Sequence, residues 1–177
     1  MRFMKPLAAL AVSALTITGA ASAATINAST NQITSTYGGA LQITFVSKEA
    51  AYSTDLRLAS TNAFILNNQA VSPGFTTTIA GPAAGQDIAF RFNVLSTGLS
   101  FYTGLAGVNV DGVVHALLMQ MADGSIKVRF EDIRGGGDLD YNDLVFTVRE
   151  VPLPGALALM ATGLAGFAAA RRRRRPA

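Results

Sequence analysis

The chain has 177 residues, half of them hydrophobic, and it contains no cysteine and no tryptophan. Its formal charge is +3, but residues 24–150 hold seven basic and eleven acidic residues, a net charge of −4, so the basic excess belongs to the two termini. This distribution excludes a basic surface for nucleic acid, and the composition excludes disulfides and a catalytic cysteine.

Residues 1–23 have the three parts of a secretory signal peptide. Arg2 and Lys5 make the start basic, an apolar run covers residues 7–18, and Ala21 and Ala23 form a small-x-small cleavage site. The apolar run is too short to span a bilayer, which favours cleavage over anchoring. We therefore predict an exported domain that begins at residue 24.

Residues 24–150 consist of short segments in which apolar and polar positions alternate, separated by turn-forming residues. This pattern predicts strands at residues 41–45, 63–66, 75–79, 88–94, 113–121, 126–130 and 144–148, after a polar segment (24–37) that is a mobile lead-in or an edge strand. Segment 113–121 is apolar on both faces and is predicted to be central in its sheet. Short strands without a helix predict an all-β fold, an antiparallel, jelly-roll-like β-sandwich.

His115 is the only histidine, and it shares a predicted strand face with Val113, Leu117 and Met119. One histidine without an evident partner favours a packed side chain with one local hydrogen bond over a metal ligand or a catalytic base. The sequence has no nucleophile elbow, phosphate-binding loop or zinc-type ligand spacing. We therefore predict that the protein is not an enzyme.

The segment FEDIRGGGDLDYNDLVFTV, residues 130–148, is the densest acidic region of the chain. Five acidic residues fall within thirteen positions between two predicted strands: Glu131, Asp132, Asp138, Asp140 and Asp143. Like charges this close repel one another, so a cation that neutralises them is the favoured explanation. The alternative is a solvated hairpin end, because Asp, Asn and Gly are ordinary turn formers.

Ca²⁺ is the cation that this loop predicts, because it takes oxygen ligands from flexible loops. The predicted ligands are the side chains of Asp132, Asp138, Asp140 and Asp143, helped by Asn142 and a carbonyl of the glycine turn. Glu131 is predicted to face away from the core and is the weaker candidate. The D-x-D-x-N spacing opens like an EF-hand loop, but Asp143 stands where that loop has Gly and both flanks are predicted strands, so this is not an EF-hand.

The C-terminal segment, residues 151–177, has the features of a membrane-sorting tail. A motif of Val151, Pro152, Leu153 and Pro154 leads into an uncharged run over residues 153–170, and Arg171, Arg172, Arg173, Arg174 and Arg175 follow it. A helix over that run would be about 27 Å long, enough to cross the hydrocarbon core, with the arginines on the cytoplasmic side. A buried helix or a nucleic-acid-binding tail explains these features less well.

Two known families are similar to parts of this sequence. Residues 130–148 resemble the signature of domain-of-unknown-function family 4114, and FYTG (101–104) and DGVVHA (111–116) resemble the approach to that signature. This resemblance implies a β-sandwich-like fold with a calcium site and no known activity. Residues 151–177 resemble the VPLPA variant of the PEP-CTERM sorting tail, which implies recognition by an exosortase-type membrane protease while the C-terminal helix anchors the protein in the membrane.

The predicted domains are a signal peptide (1–23), an exported β-sandwich (24–150) and a sorting tail (151–177). The leading hypothesis is a non-enzymatic Ca²⁺-binding protein that passes from the inner membrane to the cell surface or the extracellular matrix. The alternative is a module that binds extracellular polysaccharide, with Tyr52, Tyr102 and Tyr141 as aromatic contacts. A hydrolase is disfavoured, because its two carboxylates would have to lie across a cleft, whereas these lie in one turn.

Overall fold

The computed structural model describes residues 24–151, which form β-strands and two short 3₁₀ helices. The strands are β1 (Thr25–Asn27), β2 (Gln32–Thr34), β3 (Ala40–Ser47), β4 (Thr54–Leu58), β5 (Phe64–Asn67), β6 (Thr76–Ala80), β7 (Asp87–Ile88), β8 (Phe90–Val94), β9 (Leu99–Tyr102), β10 (Ala116–Gln120), β11 (Ile126–Phe130) and β12 (Leu144–Val151). The 3₁₀ helices are Ala106–Val108 and Arg134–Gly136. The prediction of an all-β fold is confirmed for this part of the chain.

The strands form three antiparallel sheets. The five-stranded sheet has the order β10-β11-β12-β3-β6, the four-stranded sheet has the order β5-β4-β8-β9, and a small sheet has the order β1-β2-β7. Alternation along each strand sets its buried face. In β3, for example, Leu41, Ile43 and Phe45 are buried, whereas Gln42 is exposed, as the sequence pattern predicts.

The two larger sheets face each other across an aromatic core. Phe92 of β8 stacks on Phe130 of β11 with ring centroids 3.5 Å apart, and Phe90 meets the edge of Phe146 at 5.0 Å. These side chains are fully buried, and each contributes roughly 1.5–3 kcal/mol by leaving water. The sandwich-like arrangement is therefore confirmed, whereas the jelly-roll-like connection of its strands stays a prediction. The buried cluster runs from Ala24 to Val148, so the segment 24–151 has a hydrophobic core of its own.

The prediction that segment 113–121 lies in the middle of a sheet is wrong. Its strand, β10, is at the edge of the five-stranded sheet and pairs only with β11 among the strands of that sheet. Leu117 and Met119 point outward from it and are exposed. An apolar run is compatible with a central strand and with an edge strand that leaves one face bare, and only the pairing distinguishes the two.

Strands β4 and β9 were not predicted, and the N-terminal segment is more ordered than a mobile lead-in. In β4, Asp55 is buried and forms an ion pair with the partly buried Arg57, with N and O 3.2 Å apart, which offsets the low strand propensity of charged residues. In the N-terminal segment, β2 pairs with β1 and β7 and buries Ile33 completely. Residues 24–37 thus contain two strands, of which β1 lies at the edge of the small sheet, as the edge-strand alternative predicts, whereas β2 lies between β1 and β7.

Several predictions concern residues outside the described range. They are the signal peptide with Ala21 and Ala23, the helix over residues 153–170, and the tail residues Pro152, Leu153, Pro154 and Arg171 to Arg175. Of the sorting motif, only Val151, at the end of β12, lies within the described range, and its side chain is exposed. Within residues 24–151, no helix is both long and apolar enough to cross a membrane.

Candidate metal centre

The acidic loop connects two central strands of the five-stranded sheet. β11 ends at Phe130 and β12 begins at Leu144, and these two buried residues are directly paired across the strands. The Asp143 N–H donates to the Phe130 carbonyl oxygen at 3.1 Å, which closes the base of the loop. The core therefore holds both ends of residues 131–143 at the rim of the sheet, where the sequence pattern predicts the loop.

The loop backbone curls through several left-handed residues. Gly136 has φ of 88°, and a Cβ there would lie 2.5 Å from the Leu139 side chain, so this position requires glycine. Leu139 and Tyr141 also have positive φ, at 61° and 54°, which costs on the order of 1–3 kcal/mol for each non-glycine residue. These two strained residues alternate with Asp138, Asp140 and Asn142 of the D-x-D-x-N motif. The strained backbone is therefore the part that orients the predicted ligand side chains.

Five acidic side chains of this loop converge in two overlapping groups. Carboxylate oxygens of Glu131, Asp132 and Asp143 lie within 4.8 Å of one another, and oxygens of Glu131, Asp138 and Asp140 form a second such group. Both groups line one open cavity of about 430 Å³. Its lining residues are Glu49, Ala51, Tyr52, Glu131, Asp132, Ile133, Asp138, Asp140, Asn142 and Asp143. No basic side chain is among these described residues, so the cavity is strongly negative.

Glu131 was predicted to face away from the core and to be a weak ligand, and its position in the structure is different. Its side chain is 1% exposed and belongs to both carboxylate groups. The outward position after Phe130 is covered by the glycine turn, since a Cβ at Gly137 would lie 2.5 Å from Glu131 Oε1. Strand alternation predicts the side on which a residue lies, but it does not predict that a loop folds over that side.

The metal-free site contains an unsatisfied buried oxygen. Glu131 Oε1 accepts a hydrogen bond from the Ile133 N–H at 3.3 Å, whereas Oε2 is buried and has no donor among the described residues. A hydrogen bond between Glu131 and Asp143 requires that one of the two carboxyl groups holds a proton, because two carboxylates offer only acceptors. A buried carboxylate oxygen without a partner is unfavourable, and a cation is one way to satisfy it.

The raised pKa values of the site also favour a bound cation. Burial, the charge of Asp143 and a hydrogen bond with Asp143 together raise the pKa of Glu131 to about 8. Burial and the Asp143 charge also raise the pKa of Asp132 to about 7. Without a cation, protons therefore neutralise part of the cluster, and a bound cation can replace them.

All five predicted side-chain ligands line the cavity, although they differ in their hydrogen bonds, whereas no residue of the glycine turn is among the described lining residues. The Asp132 N–H donates to Asp143 Oδ2 at 2.8 Å, which holds these two residues together across the loop. Asp138 and Asp140 are exposed, and the Asp140 N–H donates to Asp138 Oδ1 at 3.3 Å. The Asn142 amide nitrogen donates to the Asp140 carboxylate, so its oxygen would face a cation only after the amide turns over.

Glu49 belongs to the cavity but has no signal in the sequence. Pairing of β3 with β12 brings the chain after Ser47 alongside the loop, and the Glu49 N–H donates to the Asn142 carbonyl oxygen at 3.0 Å. Glu49 Oε2 also lies 3.3 Å from the Asn142 amide nitrogen. These contacts span more than ninety positions of sequence, which no local pattern could reveal.

A pair of contacting side chains, Asp111 and His115, packs against the acidic loop and forms hydrogen bonds with its backbone. His115 is completely buried and stacks on Phe101, with ring centroids 3.7 Å apart. Its Nδ1 lies 2.7 Å from the Glu131 carbonyl oxygen, and its Nε2 lies 2.9 Å from Asp111 Oδ2. The packed histidine is thus as predicted, but it makes two hydrogen bonds and not one.

Asp111 is the partner of His115 that the sequence did not identify. Burial alone would raise the pKa of Asp111, but hydrogen bonds from the Gly135 N–H, from His115 and from the Val113 N–H outweigh burial and lower it to about 2. Asp111 Oδ2 and the Glu131 carbonyl oxygen therefore each face one ring nitrogen of His115. Together with the hydrogen bond from the Gly135 N–H to Asp111 Oδ2, these contacts tie the segment before β10 to the glycine turn, and the D-x-x-x-H spacing was their only sequence signal.

Comparison with known proteins identifies two regions of the chain. The model of the family described as Domain of unknown function (DUF4114) matches residues 60–150, which include the whole acidic loop, and the PEP-CTERM protein-sorting motif matches residues 150–174. No curated protein matches the chain significantly. The sorting motif indicates an exported protein that an exosortase recognises and that passes through a membrane-anchored intermediate before it is processed to the cell surface. Because the first match spans just over half of the 177 residues, the chain belongs to the DUF4114 family.

Proposed function

We propose that the acidic cavity binds Ca²⁺ and that the protein is a non-enzymatic, calcium-stabilised component of the cell surface or extracellular matrix. The observation that carries this proposal is Glu131, whose buried Oε2 has no hydrogen-bond donor while its side chain lies among four other carboxylates of the loop. Folding has brought these charges together at a cost that a bound cation would remove.

The donor set favours Ca²⁺ over other common ions. The polar side chains that line the cavity are six carboxylates, one carboxamide and one phenol, so the lining supplies hard oxygen donors without imidazole or thiolate. Zinc and copper prefer the latter two ligand types. Mg²⁺ demands near-ideal octahedral geometry and keeps its water, whereas Ca²⁺ accepts many oxygens in irregular loops such as this one.

The proposed role of the ion is to join parts of the fold that are distant in sequence. Its ligands would come from both ends of the 131–143 loop, and Glu49 would add a contact from the chain that follows β3. A cation at this position would therefore fix β11, β12 and β3 at one rim of the five-stranded sheet. A ligand that binds only the folded state stabilises it, which suits an exported domain without disulfides.

The absence of catalysis is part of the proposal and has its own support. His115, the one histidine, is completely buried, and both of its ring nitrogens are occupied by hydrogen bonds, so it has no access to a substrate. The loop carboxylates converge on a common volume, whereas an acid–base pair needs two carboxylates held apart across a cleft. Turnover of a polysaccharide that is lost on Asp→Asn changes, with the fold intact, would contradict this part.

A polysaccharide-binding module is the second candidate, and Tyr52 favours it. Tyr52 lines the acidic cavity and is 37% exposed, so a sugar could stack on its ring while its hydroxyls approach a bound ion. Tyr141 is less available, because its hydroxyl donates to the Val114 carbonyl oxygen at 3.1 Å. Glycan-array binding that depends on Ca²⁺ and is lost in Tyr52→Ala would support this candidate over a purely structural role.

Thermal unfolding of residues 24–151 tests calcium binding. Ca²⁺ at about 100 times its Kd should stabilise the fold by about 2.7 kcal/mol, which corresponds to a rise in Tm of roughly 10 °C for a domain of this size. Excess chelator should reverse the rise, and Glu131→Gln should remove most of it because Glu131 belongs to both carboxylate groups. Asp87→Asn, at an exposed carboxylate that does not line the cavity, is the matched control and should respond like the parent. A parent protein whose Tm does not change when Ca²⁺ is added would refute the proposal.

A further inference from the structure

The geometry points to two divalent cations in the acidic cavity, side by side, with Glu131 as the ligand that they share. This inference rests on the proposed function, since it requires that a cation binds here at all. It goes further because it assigns a number of ions and a division of the ligands between them.

The first argument is the grouping of the oxygens. Calcium–oxygen distances of about 2.3–2.6 Å place two ligands of one ion no more than roughly 5 Å apart. Among the described residues, one group within 4.8 Å contains Asp132 and Asp143, the other contains Asp138 and Asp140, and only Glu131 occurs in both. A single ion at either position would therefore leave one pair of aspartates without a metal contact.

The second argument is the charge of the cavity. Six carboxylates line it, from Glu49 and from the five acidic residues of the loop, and its lining contains no basic side chain. One divalent ion would leave a formal charge of −4, and two would leave −2. Since repulsion between carboxylates is strong in a partly buried site, the second ion removes a large part of what remains.

The third argument is the buried oxygen itself. Glu131 is 1% exposed and lines the cavity, its Oε1 receives one hydrogen bond, and its Oε2 receives none from the described residues. A carboxylate that offers one oxygen to each of two ions is a natural bridge, and ions in two-metal sites lie roughly 3.5–4 Å apart. The unpartnered Glu131 oxygen is therefore evidence for a cation that does not depend on the number of acidic residues nearby.

The two positions differ in burial, and this predicts binding in two steps. Asp132 is buried, which makes the inner position the tighter one, whereas Asp138 and Asp140 are exposed at the rim. The inner ion should bind first and organise Glu131. The rim ion should bind more weakly and exchange faster, because water competes for its ligands.

Native mass spectrometry and calorimetry of the full chain in detergent, titrated with CaCl₂, test the inference. The parent should bind two ions per chain in two steps. The double variant Asp138→Asn/Asp140→Asn, at exposed positions where Asn keeps a side-chain oxygen for the loop's backbone N–H groups, should retain one ion and the tighter step. Asp87→Asn should still bind two.

As a second readout, Tb³⁺ bound beside Tyr52 should emit by energy transfer from the tyrosine. Eu³⁺ added together with Tb³⁺ should quench that emission only if the two ions are neighbours.

The outcomes separate the two proposals. Two ions in the parent, one in the double variant and quenching by Eu³⁺ would establish the pair. One ion in the parent, or a double variant that retains two, would overturn this inference while calcium binding stands. No bound ion in the parent would overturn both.

Discussion

Glu131 should make the metal-free protein less stable as the pH rises, in contrast to an ordinary surface carboxylate. Burial is the main cause that raises its pKa from 4.5 to about 8, with the Asp143 charge next. The folded state therefore keeps a proton that the unfolded chain releases. The stability that this proton provides is fully present below pH 4.5 and is lost as the pH rises to about 8.

The magnitude follows from the same two values. The interval between pH 4.5 and 8 is about 3.5 pH units, which at 1.36 kcal/mol per unit is about 5 kcal/mol as an upper limit. Asp132 titrates in the same range, but it shares the Asp143 charge with Glu131, so the two contributions are not additive. Since only about three of these units lie above pH 5, we expect a loss on the order of 2–4 kcal/mol between pH 5 and pH 9, a sizeable part of the roughly 5–15 kcal/mol that stabilises a typical domain.

The assay is urea unfolding of residues 24–151 in chelator at several pH values, followed by circular dichroism. Glu131→Gln cannot ionise, so its stability should fall less with pH, and above pH 8 it should exceed that of the parent. Asp87→Asn should show the slope of the parent. With saturating Ca²⁺ the slope of the parent should flatten or reverse, because the deprotonated carboxylates are then ligands.

Two results would refute this reasoning. A metal-free parent whose stability does not fall between pH 5 and pH 9 would mean that the carboxylates are not desolvated as the structure places them. A Glu131→Gln variant with the same slope as the parent would mean that another group titrates.

Three further predictions concern the rest of the chain. Burial opposes ionisation of Glu150, but hydrogen bonds from the Ser35 hydroxyl and the N–H groups of residues 36–38 outweigh it and lower the pKa. Its stabilisation is therefore present above pH 4.5 and lost in acid, so Glu150→Gln should cost about 2–3 kcal/mol in urea unfolding at pH 7 and much less at pH 3; an equal cost at both would contradict this. Phe92→Ala should cost about 3–5 kcal/mol in the same assay, because it opens the stack on Phe130; a loss under about 1 kcal/mol would contradict the core assignment. Deleting Arg171 to Arg175 should disturb anchoring or processing, and unchanged surface display, measured by immunolabelling of intact cells, would contradict the role assigned to the tail.

Local patterns predicted the strands that bury one face. In β3, β8, β11 and β12, apolar residues recur at every second position, and a strand with that pattern has only one way to face the core. The place of the acidic loop between β11 and β12 followed from the same patterns. The edge position of β10 did not, because an apolar run contains no information about which strands lie beside it.

The ligand set was only partly predictable for a related reason. Aspartates at alternate positions of one loop are visible in the sequence, and they do line the cavity. Glu131 was misjudged because the glycine turn covers its side of the strand, and Glu49 was missed because only the pairing of β3 with β12 brings it near.

The sequence by itself determined that this is an exported all-β protein with a sorting tail and one crowded acidic loop, since these properties depend on composition, period and short motifs. Only the tertiary structure decided which carboxylates share a volume, which oxygen is buried without a partner, and that Asp111 and His115 support the glycine turn. Those features depend on contacts between segments far apart in the chain, which local periodicity cannot encode.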